Sequence, residues 1–117
     1  MFLPCGRKPK AFQALLREVN EHFQYQTVET NQCVGIDFSC DQELPQVQGD
    51  CSDYAQLAYG RAHCHGIVVE IRLFTIPEGR HACVVYRDGR QWWVGDNWYK
   101  RPVRIERYRN GMRTRGL

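Results

Sequence analysis

The chain has no apolar run that approaches the ~18 residues needed to cross a membrane as a helix. Its first eight residues contain no apolar core long enough for a secretion signal, and the sequence shows no internal repeat or low-complexity segment. At 43% hydrophobic and 25% charged residues, its composition is that of an ordinary globular protein. We therefore expect a single domain over residues 1–117, located in the cytoplasm and without a membrane partner.

The six cysteines show no C-x-x-C spacing. Without a secretion signal, reduced thiols are expected rather than disulfides. The His63-Cys64-His65 triplet and the Cys33/Cys40 pair carry metal-binding atoms, but not at the spacing of a known zinc site, so no metal is predicted. Four cysteines are expected to be small buried hydrophobic side chains, namely Cys5, Cys33, Cys64 and Cys83.

The net charge of +3 hides an asymmetry between the end of the chain and the rest. Residues 100–117 hold seven basic side chains against the single acid Glu106. Such a tail predicts an acidic partner or a nucleic acid, with Tyr108 as its only ring for base stacking. The alternative is a solvated terminal strand with a frayed end.

Two helices are predicted before any long strand. Apolar residues recur at helical spacing from Pro9 to about Tyr25 and form one stripe, whereas residues 26–50 are expected to be irregular. A second helix is predicted from Cys51 to about His65.

The ends of the second helix carry their own signals. Asp50 is a good N-cap, and Asp53 stands three residues later, as in a capping box. Gly66 follows as the glycine that ends the helix.

Strands are predicted in the second half of the chain, after the second helix. Pro77-Glu78-Gly79 predicts a turn, and Asp88-Gly89 predicts the two-residue turn of a hairpin. The predicted strands cover residues 67–74, 81–87, 90–96 and 103–108. The pattern indicates an α+β domain with helices on one side of a 3–4-stranded antiparallel sheet.

The predicted hairpin brings a histidine and a carboxylate together. With Asp88-Gly89 as the turn, His81 pairs directly with Asp96, and opposed β-carbons lie ~4.5–5.5 Å apart. A 15-residue helix spans ~22 Å, and an eight-residue strand returns ~26 Å. The chain thus comes back near Cys51 just before His81.

These three residues predict a nucleophile, a base and its orienter. Cys51 at a helix start beside His81 is expected to be a reactive thiolate, and Asp96 would orient the imidazole. The Cys51 amide, with Gln48 or Gln46, is the candidate donor for an oxyanion. No metal or organic cofactor is needed. Taken singly, each residue has an ordinary structural explanation, but the capped helix start and the opposed pair favour catalysis.

At these residues the chain resembles the transglutaminase-like superfamily, and most of all its small bacterial and phage cysteine peptidases. The matching segments are Gly49 to Ala55, Gly66-Ile67, Arg80 to Val85 and Trp93 to Asn97. The resemblance implies a papain-like fold with Cys51, His81 and Asp96 as the triad. It also implies hydrolysis of an amide bond in a protein or peptide, through a thioester. Acyl transfer by the same fold, or a non-catalytic module that binds a protein or nucleic acid, are the alternatives.

Overall fold

In a computed structural model, the described residues are 9–26, 39–76, 79–99 and 101–108. They form helices and an antiparallel sheet, so the predicted α+β class is confirmed. The elements are α1 (Lys10–Glu21), β1 (Phe23–Tyr25), β2 (Val47–Gly49), α2 (Cys51–Cys64), β3 (Glu70–Ile76), β4 (Gly79–Asp88), β5 (Gln91–Gly95) and β6 (Val103–Arg104). Within these ranges no helix is both long and apolar enough to cross a membrane.

The main sheet has the strand order β3-β4-β5-β6, and all its neighbours are antiparallel. A separate pair, β1 and β2, is parallel and brings the end of α1 beside the start of α2. This pair lies partly in the stretch predicted to be irregular. Strands of three residues are too short to show an alternating pattern, which is why the sequence does not indicate them.

The two faces of β4 belong to two different hydrophobic clusters. Ala82 and Val84 face α1 and α2, whose apolar stripe packs there as predicted. Cys83 and Val85 face the other side, where the chain end closes a smaller cluster through Tyr108. Since successive side chains of a strand point to opposite faces, β4 holds both clusters together.

The hairpin turn between β4 and β5 differs from the prediction by one residue. Asp88 pairs with Gln91, so the turn is Gly89-Arg90, and Gly89 takes a φ of 63° at the first turn position. Glycine is the residue that a type II′ hairpin turn requires there. The predicted direct pairing of His81 with Asp96 is therefore wrong.

The corrected register nevertheless leaves both side chains on one face. Continued past the end of β5, it sets Cys83 level with Asp96, and His81 lies two residues further along β4. Because side chains alternate with a period of two, residues 81 and 83 share a face. His81 and Asp96 are thus diagonal neighbours instead of direct partners.

Several predicted boundaries also change. The first helix ends at Glu21 and not near Tyr25, and β3 covers residues 70–76 instead of 67–74. The last strand is only Val103–Arg104, since residues 105–108 form a helical turn. Tyr108 is fully buried and offers no ring for base stacking. Some predictions fall outside the described residues. They are those that involve Cys5, Cys33, Pro77, Glu78, Lys100 and positions 109–117.

Cys40 and Cys64 form a disulfide, with their Cα atoms 5.3 Å apart. The expectation of reduced thiols, and of Cys64 as a free buried side chain, is wrong for this pair. Their separation of 24 residues gives no spacing signal, because the pairing depends on the segment before β2 folding back to the end of α2. Cys83 is a free buried thiol, as predicted.

A paired ion contact joins the two helices. Arg61 Nε and Nη2 donate to the two Glu18 carboxylate oxygens at 2.7 and 3.1 Å. The hydrogen bond from Arg61 is the largest influence on the Glu18 carboxyl and holds its pKa below the ordinary value. The contact therefore stabilises the packing of α1 on α2 only while Glu18 is ionised.

Glu18→Gln tests this contact. A lowered pKa in the folded state gives stability that is present above the unfolded pKa of ~4.3 and disappears as the pH falls through the folded pKa. We expect the variant to lose about 1 kcal/mol of unfolding free energy at pH 7 and almost nothing at pH 3. Urea unfolding at both pH values measures this, with Glu21→Gln at the exposed end of α1 as the matched control. An equal loss at both pH values would contradict the explanation.

Candidate functional site

Cys51 is the first residue of α2, and Asp50 fixes that start. Asp50 Oδ1 accepts from the amides of Ser52 and Asp53 at 3.0 and 3.3 Å. The Asp53 Oδ2 atom accepts in return from the Asp50 amide at 3.0 Å. The predicted capping box is confirmed, and it sets the direction in which the Cys51 side chain leaves the helix.

Gly49 is needed because the capping box fills the space beside it. A β-carbon at this position would collide with the carboxylate of Asp53. The Gly-Asp-Cys-x-Asp pattern is therefore a single steric unit around the start of α2, in which a glycine admits the carboxylate that caps the helix.

The thiol of Cys51 accepts a hydrogen bond from β4 at a position where a neighbouring strand would otherwise pair. Asp88 and Gln91 flank a two-residue turn and so form a hydrogen-bonded pair, which means that even-numbered residues of β4 direct their amides towards β5. Because β5 ends at Gly95, the amide of Ala82 has no strand partner on that side. It donates instead to Cys51 Sγ at 3.4 Å.

His81 and Asp96 form a buried hydrogen-bonded pair. His81 Nε2 lies 3.2 Å from Asp96 Oδ2, with residue exposures of 3% and 0%. The other Asp96 oxygen accepts from the amides of Trp98 and Tyr99 at 2.9 and 3.1 Å. An ionised carboxylate only accepts, so Nε2 donates to it and Nδ1 is left for the thiol.

The indole of Trp98 covers the imidazole of His81. Their ring centroids are 3.6 Å apart, and the planes differ by 10°. The stacked ring restricts rotation of the imidazole and shields its bond to Asp96 from water. No sequence pattern predicted this contact, because it depends on how the loop after β5 folds back over His81.

The thiol and the imidazole stabilise each other's charged form. Burial opposes the Cys51 thiolate, but His81 and the Ala82 amide outweigh it and lower the pKa of Cys51. Burial likewise opposes a charged His81, but Asp96 and Cys51 outweigh it and raise the pKa of His81 to about 9. These opposite shifts favour a thiolate–imidazolium pair at neutral pH. In contrast, burial raises the pKa of Cys83, so that thiol stays protonated.

Two buried tyrosines lie close to Asp96. Burial is the main reason why the pKa of both Tyr54 and Tyr108 is raised, and the negative charge of Asp96 raises it further. Both hydroxyls therefore stay neutral and present only polar O–H groups to that charge. The sequence predicted Tyr108 only as a ring in the basic tail, because nothing in a linear pattern shows that it and Tyr54 approach one carboxylate.

Neither glutamine predicted as an oxyanion donor has a hydrogen bond to Cys51. Gln48 Nε2 donates to Gln24 at 3.4 Å, and the Gln46 amide contacts His22 Nδ1 at 3.0 Å. Both side chains are exposed and could reorient, so the two remain candidates. The backbone supplies a nearer donor, because the Cys51 amide at the start of α2 has no acceptor among the described residues.

A metal ion has no evident place in this arrangement. Over residues 9–26, 39–76, 79–99 and 101–108, no group of three or more His, Cys, Asp or Glu side chains is placed to hold one. Cys64 of the metal-binding triplet considered above is bonded to Cys40 and is not free to act as a ligand.

Comparison of the chain with protein-family models, with curated proteins and with solved structures gives no match in any of the three. The chemistry of the site therefore has to be argued from its own geometry.

The pH dependence of alkylation tests the lowered pKa of Cys51. We expect iodoacetamide to modify Cys51 at pH 6 to 7 much faster than an ordinary thiol, whose pKa is ~8.5. His81→Ala removes the charge partner and should slow the reaction at pH 6 by about tenfold or more. Peptide mapping by mass spectrometry gives the rates, with Cys83→Ala as the matched control. Identical profiles for wild type and His81→Ala would contradict the charge pairing.

A double-mutant cycle tests the steric unit around Gly49. Gly49→Ala should lower the free energy of unfolding by about 1–2 kcal/mol, since the new methyl group displaces the capping carboxylate. The loss should shrink when Asp53→Ala is already present, because the collision is then gone. Urea unfolding of the four proteins measures the coupling, and strictly additive losses would show that the capping box is not the cause.

Proposed function

We propose that this protein is a cysteine-dependent amide-bond hydrolase that acts on a protein or peptide through a thioester. The observation that carries the proposal is the position of the Cys51 thiol at a helix start, held by the Ala82 amide beside the buried His81–Asp96 pair. The stability of a fold rarely depends on a free, half-buried thiol next to a fully buried carboxylate. Nucleophilic catalysis by a cysteine, in contrast, requires both groups.

The reaction begins with attack by the thiolate. Cys51 Sγ forms a bond to the carbonyl carbon of the substrate, and the oxyanion that develops is stabilised by the Cys51 amide. His81 then gives its proton to the nitrogen of the leaving amine, so the C–N bond breaks and a thioester remains.

Water completes the cycle. Neutral His81 takes a proton from a water molecule, whose oxygen attacks the thioester carbon and releases Cys51 as the thiolate. Asp96 keeps the imidazole oriented in both steps and stabilises its charged form. Two amides fix the second oxygen of Asp96, so the orienter itself is held by the backbone.

The arrangement of the elements supports membership in the transglutaminase-like superfamily. A capped helix carries the cysteine and packs on an antiparallel sheet whose neighbouring strands bring the histidine and the aspartate. The resemblance implies a papain-like core, and this order of elements supports that proposal. We therefore assign to the protein a papain-like core and the triad Cys51, His81 and Asp96.

Hydrolysis is favoured over acyl transfer and over simple binding. A transferase has to keep water from the thioester, whereas hydrolysis needs only water as the second acceptor, and the Cys51 thiol is only partly buried. Binding of a single-stranded nucleic acid at the basic tail would use Tyr108 for base stacking, and Tyr108 is buried. The Cys40–Cys64 bond also favours an oxidising compartment over the predicted cytoplasm as the place of action.

Peptide cleavage tests the proposal. We expect wild-type protein to cleave bonds in a peptide library and Cys51→Ala to cleave none, while Asp96→Asn should lower kcat by about a hundredfold or more. Cys83→Ala is the control for loss of an unrelated thiol. Mass spectrometry of the products, with and without an added primary amine, separates hydrolysis from transfer.

Cleavage that survives in Cys51→Ala would contradict the assignment of the nucleophile. Products that carry the added amine in place of a new carboxyl group would instead show an acyl transferase.

A further inference from the structure

The outer edge of β3 is open along a strand of seven residues. Among the described residues no backbone group pairs with this edge. Proteins usually protect such an edge with charges, proline or a bulge, because it is a template for another strand. Here the charged residues Glu70 and Arg72 alternate along the strand with two large apolar side chains, Leu73 and Ile71, that are 60% and 41% exposed.

The hydrogen-bonding groups of Leu73 point towards the open edge. Leu73 is the partner of Ala82, whose amide is directed to the opposite side of β4 and donates to Cys51. The two residues are therefore a non-hydrogen-bonded pair in the β3–β4 ladder. It follows that the N–H and C=O of Leu73 face outwards, and those of Ile71 do so by the same alternation.

The apolar side chains lie on the face of the sheet that α2 covers in part. Leu73 shares that face with Ala82, which packs against α2. On α2 itself, Arg61 faces α1, and Tyr59 is two residues earlier, hence about 200° around the helix on the side away from α1. Tyr59 is 49% exposed. We call Tyr59, Ile71 and Leu73 the β3–α2 ledge.

The ledge is within reach of a chain that reacts at Cys51. Sγ lies 3.4 Å from the Ala82 nitrogen, and the partner Leu73 is about 4.5 Å further across the strand pair. An added strand would lie a further ~4.8 Å out. Because Sγ lies on the side of β4 away from β3, a substrate chain has to pass around these two strands. The total of roughly 13 Å, or about four extended residues, is therefore the shortest possible span.

We propose that the outer edge of β3 binds an extended apolar segment of the polypeptide substrate as an added strand, at least about four residues from the bond that Cys51 attacks. The segment pairs with the outward N–H and C=O of Leu73, and its alternate side chains pack on the β3–α2 ledge. This inference rests on the proposed function, since it names the substrate feature that the same site selects. It implies an apolar, unfolded stretch of polypeptide as the substrate class.

Cleavage profiles of four proteins test the inference, each with a proteome-derived peptide library and mass spectrometry of the new termini. Wild type should show an apolar preference of about tenfold at a fixed position about four or more residues from the cleaved bond, on one side of it. Leu73→Ala removes the side chain, and Leu73→Pro removes the outward N–H in addition to the leucyl side chain, a change that an edge strand tolerates. Val68→Ala is the matched control, because Val68 is an apolar residue that is 85% exposed and lies outside β3.

Both Leu73 variants should lose the preference while Val68→Ala keeps it, and all four proteins should react with iodoacetamide at the same rate. Equal iodoacetamide rates show that the thiol site is intact, so a misfolded variant is recognised by its slower rate. If Leu73→Pro misfolds in this way, Leu73→Ala alone provides the test. Cleavage by wild type with no apolar preference, or a preference unchanged in the variants, would overturn the inference and leave the proposed function standing. No cleavage together with an ordinary rate of alkylation would instead remove the proposed function.

Discussion

The hydrogen-bond ladder between β4 and β5 stops at Gly95, because β5 ends there while β4 extends further, past His81. This end makes three things possible. The amide of Ala82 is left for the Cys51 thiol, Asp96 turns back to accept two amides of its own loop, and His81 reaches that carboxylate. The end of β5 is also fixed from the helix side, because a β-carbon on Gly95 would lie 2.6 Å from a methyl carbon of Leu16.

The cost of burying charge explains why so many polar groups surround Asp96. A carboxylate taken fully out of water is strongly destabilising unless hydrogen bonds replace its hydration. Two amides and an imidazole supply those bonds directly, and the neutral hydroxyls of Tyr54 and Tyr108 add polarity nearby. Groups held in this way at the expense of stability are typical of functional sites, where a fixed charge is needed during the reaction.

Features set by neighbouring residues could be predicted from the sequence, and those set by long-range packing could not. The capping box of α2 was predicted correctly because Asp50 and Asp53 interact across three positions. The approach of His81 to Asp96 was predicted from a register that is wrong, since the turn begins at Gly89. The approach is still found, because the corrected register keeps both residues on one face.

The disulfide, the β1–β2 pair and the tyrosines beside Asp96 had no such local signal. Each depends on how distant segments come together, so only the folded structure shows it. The triad and its reaction are proposed from geometry and from resemblance, and the lowered pKa of Cys51 and the raised pKa of His81 both have the direction that the chemistry needs.

The most direct test of the thiolate–imidazolium pair is the titration of His81 by NMR with nitrogen-labelled histidine. In the wild type, the imidazole of His81 should stay protonated up to a pKa of about 9. In Cys51→Ala the negative partner is missing, so the pKa should fall. A pKa near the ordinary ~6.5 in the wild type, or one that Cys51→Ala leaves unchanged, would contradict the charge pair on which the account depends.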